Sequence, residues 1–259
     1  MGKRRAPGSG YGPRVTRPLP PPLPPESRTV GQVVAESIRL YGRRFWPALA
    51  LGLPVAAITQ VSTGRPLTVA TLVLWAASPF LTAAYLGAIV LAAPERPPAR
   101  ALAVAFGVGL LVFAPIPALL RVFVLPALAW LALFGLAVPA AAYERLGFRD
   151  ALARGRRLGS ADYVHALGSL CALGIVYFIT RAMLFLLLRS QGDATERVAA
   201  FLGDLVISPL IFIGSALLYF DQAARVVDSA SPRRRRDDAD LHPAVDAHRA
   251  GRPDAQVEP

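Results

Sequence analysis

The sequence predicts an all-α membrane protein, a bundle of about six transmembrane helices with two amphipathic helices in the membrane interface. Three observations predict it. Between Phe45 and Phe220 the chain is a near-continuous series of apolar runs, and roughly 20 apolar residues of helix cross a bilayer core about 30 Å thick. The chain is 54% hydrophobic and 17% charged, with a mean hydropathy of +0.45. Its apolar residues stand in unbroken blocks and not in the periodic spacing of a soluble domain. Finally, the arginines are crowded in alternate connections and sparse in the others, the signature of spans that insert with one face toward the cytoplasm.

Residues 1–28 are rich in Gly, Pro and Arg and contain PLPPPLPP at 18–25. Proline favours an extended polyproline II rod without a core, so this segment reads as a disordered tail, with a docking peptide as the other reading. In residues 29–44, Val30, Val33, Val34, Ser37, Ile38 and Tyr41 form one helical stripe, decorated by Glu36, Arg39, Arg43 and Arg44. Thr29 is placed to cap this helix. Too short and too charged to span, it is expected to lie in the interface, with Phe45 and Trp46 as anchors at the headgroup level.

The spans follow at about 45–61, 68–93, 100–120, 122–142, 163–188 and 198–220. The first contains Pro54; the second is long enough to tilt or to break near Ser78-Pro79. Only Arg121 clearly separates the third from the fourth, with Pro115, Pro117 and Pro126 around it. Two full spans are the favoured reading there, over a re-entrant pair. The second amphipathic helix is expected at 147–160, with Tyr163 as its interfacial anchor. The membrane domain is thus 29–225, and residues 226–259, polar and without apolar period, read as a second disordered tail.

With both termini inside, the inner segments hold 23 Lys/Arg and the outer loops four, Arg65, Arg121, Arg189 and Arg197. The expected location is a bacterial plasma membrane with both ends cytoplasmic. A weak internal repeat accompanies this pattern. An offset of 118 residues lays 30–49 over 148–167, where Ala35, Arg39, Leu40, Ala48 and Leu49 meet identical residues. Both copies place a basic amphipathic helix before a span, entering from the same side, so the repeat is parallel and not inverted.

ESIRLYGRRFWPALALG at 36–52, VPAAAYERLGFRDALARGRRLG at 138–159 and LLYFDQAAR at 217–225 together resemble a family of uncharacterised six-span proteins common in actinobacteria. That family is similar to the membrane domain attached to some glycerophosphoryl diester phosphodiesterases. The resemblance covers about 30–225 and implies a plasma-membrane protein; it does not imply diesterase chemistry, whose barrel neither tail has room for.

The net charge of +11 would suggest nucleic acid in a soluble protein. Here the arginines flank apolar spans, so anionic lipid headgroups are the expected partner and nucleic acid is not. The single cysteine, Cys171, excludes an intrachain disulfide and a paired-cysteine metal site. No apolar region follows Arg4-Arg5 for about 40 residues, so no cleaved signal is read. The histidines are His165, at the start of the fifth span, and His242 and His248 in the tail. No zinc-protease, serine-hydrolase or P-loop motif is present. No enzyme activity, cofactor or metal is expected.

Arg181 and Asp204 are the charges set deepest in the spans. They lie seven residues before Leu188 and six after Val198, which places both about 10 Å below the outer surface of an antiparallel hairpin. Ions in lipid need a partner or a wet cavity. The two form an ion-pair candidate, either a structural clamp, with an outward-turned arginine as its variant, or a charged element of a solute pathway. At the inner interface Glu144, Arg154, Arg156, Arg157 and Asp221 are read as charges that are either solvated and independent, the more ordinary case, or joined in an ionic collar. The functional reading is a non-enzymatic scaffold or accessory component of envelope or lipid-related machinery, with a second membrane protein or another copy of the chain as partner. A channel or transporter using Arg181 and Asp204 is the alternative.

Overall fold

The computed structural model describes residues 29–188, 190 and 192–229. The two tails, with His242, His248 and the basic run Arg233–Arg236, and Arg189 lie outside the described residues. Every described element is helical: α1 (Val30–Arg43), α2 (Phe45–Ala50), α3 (Leu53–Ser62), α4 (Leu67–Ala76), α5 (Ser78–Ala92), α6 (Ala99–Phe113), α7 (Ile116–Val122), α8 (Val124–Phe134), α9 (Ala137–Tyr143), α10 (Phe148–Ala161), α11 (Tyr163–Leu188) and α12 (Asp193–Ser229).

Prolines divide the first four apolar runs. Each run breaks just before a proline (Pro54, Pro79, Pro117 or Pro139), giving the pairs α2–α3, α4–α5, α6–α7 and α8–α9. Proline lacks an N–H and its ring crowds the carbonyl one turn earlier, so the helix bends or stops there. Five candidate spans are long and apolar enough to cross a membrane: Phe45–Ser62, Ala99–Val122, Val124–Tyr143, Tyr163–Leu188 and Ala194–Val227. The α4–α5 pair, bent by 51°, makes a sixth when counted as one crossing. In favour of that count, α4 packs on α3 and α7 while α5 packs on α6. Trp75, at the end of α4, donates to the carbonyl of Ala114 in the α6–α7 break (2.6 Å), so the two bent pairs run side by side with their breaks joined.

In hydrocarbon a carbonyl freed by proline has no water to turn to. Pro139 removes the usual donor to Gly135; the Val138 N–H reaches that carbonyl at 3.4 Å, and the Tyr85 hydroxyl, buried in α5, lies 3.3 Å from it. Trp130 on α8 donates to the Val112 carbonyl at the end of α6 (2.9 Å). Pro209 frees the Leu205 carbonyl inside α12, and Gly52 packs directly on it. A Cβ at Gly52 would lie 2.2 Å from that oxygen, so the contact requires glycine and brings Cα–H toward the carbonyl.

α12 is the post around which the bundle forms, packing against α1, α3, α5 and α11. One core joins α5, α6, α9 and α12 through Tyr85, Ile89, Val108, Val138 and Ile213. A smaller one gathers Leu136, Leu158, Leu170 and Leu218. α11 stands at the periphery, with Ile175, Ile179, Met183 and Leu187 exposed.

The two amphipathic helices bury part of their apolar faces against protein. On α1, Val33 and Ser37 are buried while Ile38 is exposed; the helix packs on α11 and α12, with Ser37 facing Gly214. α10 seats Gly155 and Gly159 on the α8–α9 region. A Cβ at either glycine would come within 2.4 Å of backbone, the Ala137 nitrogen or the Ala132 oxygen. Small residues four apart let helices touch backbone to backbone. Amphipathic periodicity does not distinguish lipid from a neighbouring helix, so the sequence pattern pointed to the interface alone.

The 118-residue offset has a structural counterpart. α1 and α10 are each 14 residues long and begin 118 residues apart. Each is followed, after one non-helical residue, by the first helix of a span. The linking residues, Arg44 (φ −126°, ψ 46°) and Asp162 (φ −140°, ψ 71°), share a conformation. Their main partners differ, α11–α12 for α1 and α8–α9 for α10, although both touch α12. One boundary differs from the sequence reading: residues 226–229, expected in the disordered tail, continue α12 as helix.

Substituting Gly52 or Gly155 by Ala is expected to destabilise the protein by about 1–3 kcal/mol, since backbone must shift. Gly31→Ala, where nothing lies within 4 Å, is expected to leave it unchanged or up to about 1 kcal/mol more stable. Thermal unfolding in detergent compares the three.

Candidate functional site

Polar groups collect at two levels of the bundle. Near the arginine-poor end, Asp204 on α12 is fully buried. Its Oδ2 is ion-paired with the Arg181 guanidinium, and its Oδ1 accepts a hydrogen bond from the Tyr177 hydroxyl at 2.9 Å. Tyr177 and Arg181 stand one turn apart on α11, so a single helix face delivers both to one carboxylate. Ser208 Oγ donates to the Asp204 carbonyl (2.6 Å), anchoring the same turn of α12 ahead of Pro209. The Arg181 side chain is one-third exposed (33%). It opens into a cavity of about 310 Å³ shared with Phe178, Phe185, Glu196 and Ala199.

At the arginine-rich end the candidate collar resolves into two separate clusters. Glu144, at the end of α9, accepts from Arg154 Nε at 2.9 and 3.0 Å and from the Tyr219 hydroxyl at 2.8 Å, tying α9, α10 and α12. Asp221 does not join it. It is fully buried and lies 2.7 Å from His165 Nε2 and 3.1 Å from Arg225 Nε. Arg225 also reaches Asp162 (3.2 Å), and Asp162 accepts from the His165 backbone N–H (3.2 Å), which caps α11 in the usual N-cap manner. Arg156 and Arg157 are exposed and make no ion pair among the described residues. The collar reading is therefore corrected: α10 turns Arg154 toward α9, whereas helical spacing aims Arg156 and Arg157 elsewhere.

Of the expected anchors, Trp46 is 77% exposed and Phe45 39%. The two rings meet edge to face, as do Tyr41 and Phe45. Tyr163 is half-buried and packs on the smaller core.

No family model, curated protein or solved structure matches the chain. The site's chemistry therefore rests on its own residues.

That chemistry is one of mutual satisfaction. Asp204 has both oxygens engaged and offers no idle base or nucleophile. Among the described residues no three His, Cys, Asp or Glu side chains gather as a metal site would need. Two buried acceptors, Asp221 Oδ1 and Gln222 Oε1, have no hydrogen-bond partner among the described residues. Tyr177, Tyr219, His165, Asp162 and Arg225 all escaped the sequence reading as partners. The available signals were spacing: Tyr177 precedes Arg181 by four residues, Arg225 follows Asp221 by four, and Asp162 directly precedes an apolar run.

Removing Arg181 as Gln strands a buried carboxylate and is expected to cost about 3–5 kcal/mol. Asp204→Asn is expected to cost less, because the partly exposed Arg181 side chain is able to turn toward water. Tyr177→Phe removes one hydrogen bond, about 1–3 kcal/mol. Unfolding midpoints in detergent rank the three variants; Asp204→Asn as the most damaging would contradict the order.

Proposed function

We propose that the chain is a non-enzymatic, multi-pass scaffold or accessory protein of envelope or lipid-related machinery. The observation that carries this reading is the closure of the Tyr177–Arg181–Asp204 cluster. The deepest charges of the spans are spent on each other, joining α11 to α12, as suits a load held between helices. The resemblance to the membrane domain of glycerophosphoryl diester phosphodiesterases supports a place beside lipid machinery. A partner would be a second membrane protein or another copy of the chain, with anionic lipid around it and no nucleic acid.

The plasma membrane is the proposed location, with the ends near α1 and α12 in the cytoplasm. The support is the 23-to-four asymmetry of Lys/Arg between the two sets of segments. In a Cys171→Ser background, a membrane-impermeant maleimide applied to intact cells is expected to label Thr63→Cys, between α3 and α4. It is expected to spare Gly147→Cys, between α9 and α10. The opposite pattern would reverse the orientation.

Transport is the second reading, favoured by one observation: Arg181 opens into a cavity that also contains Glu196. Proteoliposome flux of a broad panel of labelled solutes separates the two. The scaffold reading expects no flux above protein-free vesicles. Saturable flux that Arg181→Gln or Asp204→Asn abolishes would replace it with transport.

A further inference from the structure

At the arginine-rich end the α5–α6 connection, the end of α9 and the last turns of α12 enclose a cavity of about 420 Å³. Its charged lining is Arg96, Arg145 and Glu95, and its walls include Tyr143, Tyr219 and Phe220. We propose that this cavity binds a phosphate ester, with the Arg96 and Arg145 guanidiniums as its donors.

Four features carry the assignment. First, neither arginine forms an ion pair among the described residues, whereas neighbouring Glu144 is already neutralised by Arg154. Two guanidiniums against one carboxylate leave the lining with a single net positive charge, the complement of a phosphodiester. Planar guanidiniums match phosphate oxygens in geometry as well as charge.

Second, Arg145 holds φ at 54°, the one non-glycine residue with positive φ among those described. It follows the last turn of α9, where a chain in this left-handed conformation ordinarily carries glycine. An L side chain costs about 1–2 kcal/mol there, and this residue lines the cavity.

Third, Pro94, Pro97 and Pro98 bracket Arg96, so three fixed φ angles restrict the loop before any ligand arrives. A pre-ordered loop loses less entropy on binding.

Fourth, the tyrosine hydroxyls are committed elsewhere. Tyr143 donates to the Ile89 carbonyl (2.5 Å) and Tyr219 to Glu144 (2.8 Å). The two rings stack at 5.5 Å, leaving ring surface and the apolar Phe220 and Ala223 to face the non-phosphate part of the ligand. Charge at one side and an aromatic wall at the other suit an anionic phospholipid headgroup, or a small phosphate ester of the same chemistry. The assignment does not depend on the scaffold reading or on the orientation, because both faces are open in detergent.

The test is equilibrium binding of short-chain phosphatidylglycerol and, separately, of glycerol 3-phosphate to the purified full-length protein in neutral detergent. The variants are Arg96→Gln, Arg145→Gly and their combination, with Arg156→Gln/Arg157→Gln as a control that removes the same charge away from the cavity. Arg145→Gly relaxes the backbone while deleting the guanidinium, so it remains informative if Arg96→Gln fails to fold. Saturable binding is expected, weakened about tenfold or more in Arg145→Gly and in the combined variant and unchanged in the control. With phosphatidylglycerol alone binding, the source is a lipid headgroup; with both binding, the phosphate ester suffices. No saturable binding of either probe, or equal affinity in wild type and Arg145→Gly, overturns the assignment.

Discussion

A proline in a membrane span leaves a carbonyl without its helical donor, and lipid offers nothing in exchange. This constraint organises the bundle. Tyr85 reaches Gly135 beside Pro139, two tryptophans reach the carbonyls around the α6–α7 break, and Gly52 lies on the Leu205 carbonyl freed by Pro209. Each contact joins two different spans, from the consecutive third and fourth (Trp130 to Val112) to the first and last (Gly52 to Leu205). At these proline breaks a side chain or glycine of another span thus meets a carbonyl at or beside the break, so the breaks are also places where helices are joined.

The same logic extends from carbonyls to charges. Asp204 is buried among apolar residues and is held by an arginine and a tyrosine from one face of α11. Glu144 is held by α10 and α12, and Asp221 by the start of α11 and the next turn of its own helix. Every one of these carboxylates binds elements together. Between the α5–α6 connection and the end of α9, Arg96 and Arg145 line a cavity while carrying no ion pair among the described residues. At one level the Asp204 carboxylate is sealed, with only its Arg181 partner reaching a cavity; at the opposite end paired carboxylates stand beside two arginines that line a second cavity.

The all-helical, multi-span architecture was legible because apolar length alone dictates it. The Ser78–Pro79 break was legible from proline, and length made legible that 100–142 holds two helical stretches each long and apolar enough to cross a membrane. The 118-residue offset was visible as five identities and becomes two helices of equal length with like linkers. Contacts set by side-chain direction were less legible. Arg181 and Asp204 stood out because each interrupts a run on adjacent spans at similar depth, but Tyr177 did not, since a tyrosine in a span is ordinary. The collar reading failed at Asp221 for a geometric reason. Proximity in depth places residues on one plane, whereas the azimuth of each helix decides which of them meet. Nor does periodicity reveal that α10 rests on α8 and α9, because that contact is made by glycines with no hydropathy signal of their own.

The sealed character of the Asp204 level is best tested by the reaction of Asp204 with a water-soluble carbodiimide in the folded protein, read by mass spectrometry of the α12 peptide. With Arg181 and Tyr177 occupying both oxygens, Asp204 should remain unmodified in the wild type and react once Arg181→Gln uncovers it. Rapid modification of wild-type Asp204, slowed by a solute that competes for the site, would contradict a sealed clamp and place this carboxylate in a water-filled pathway.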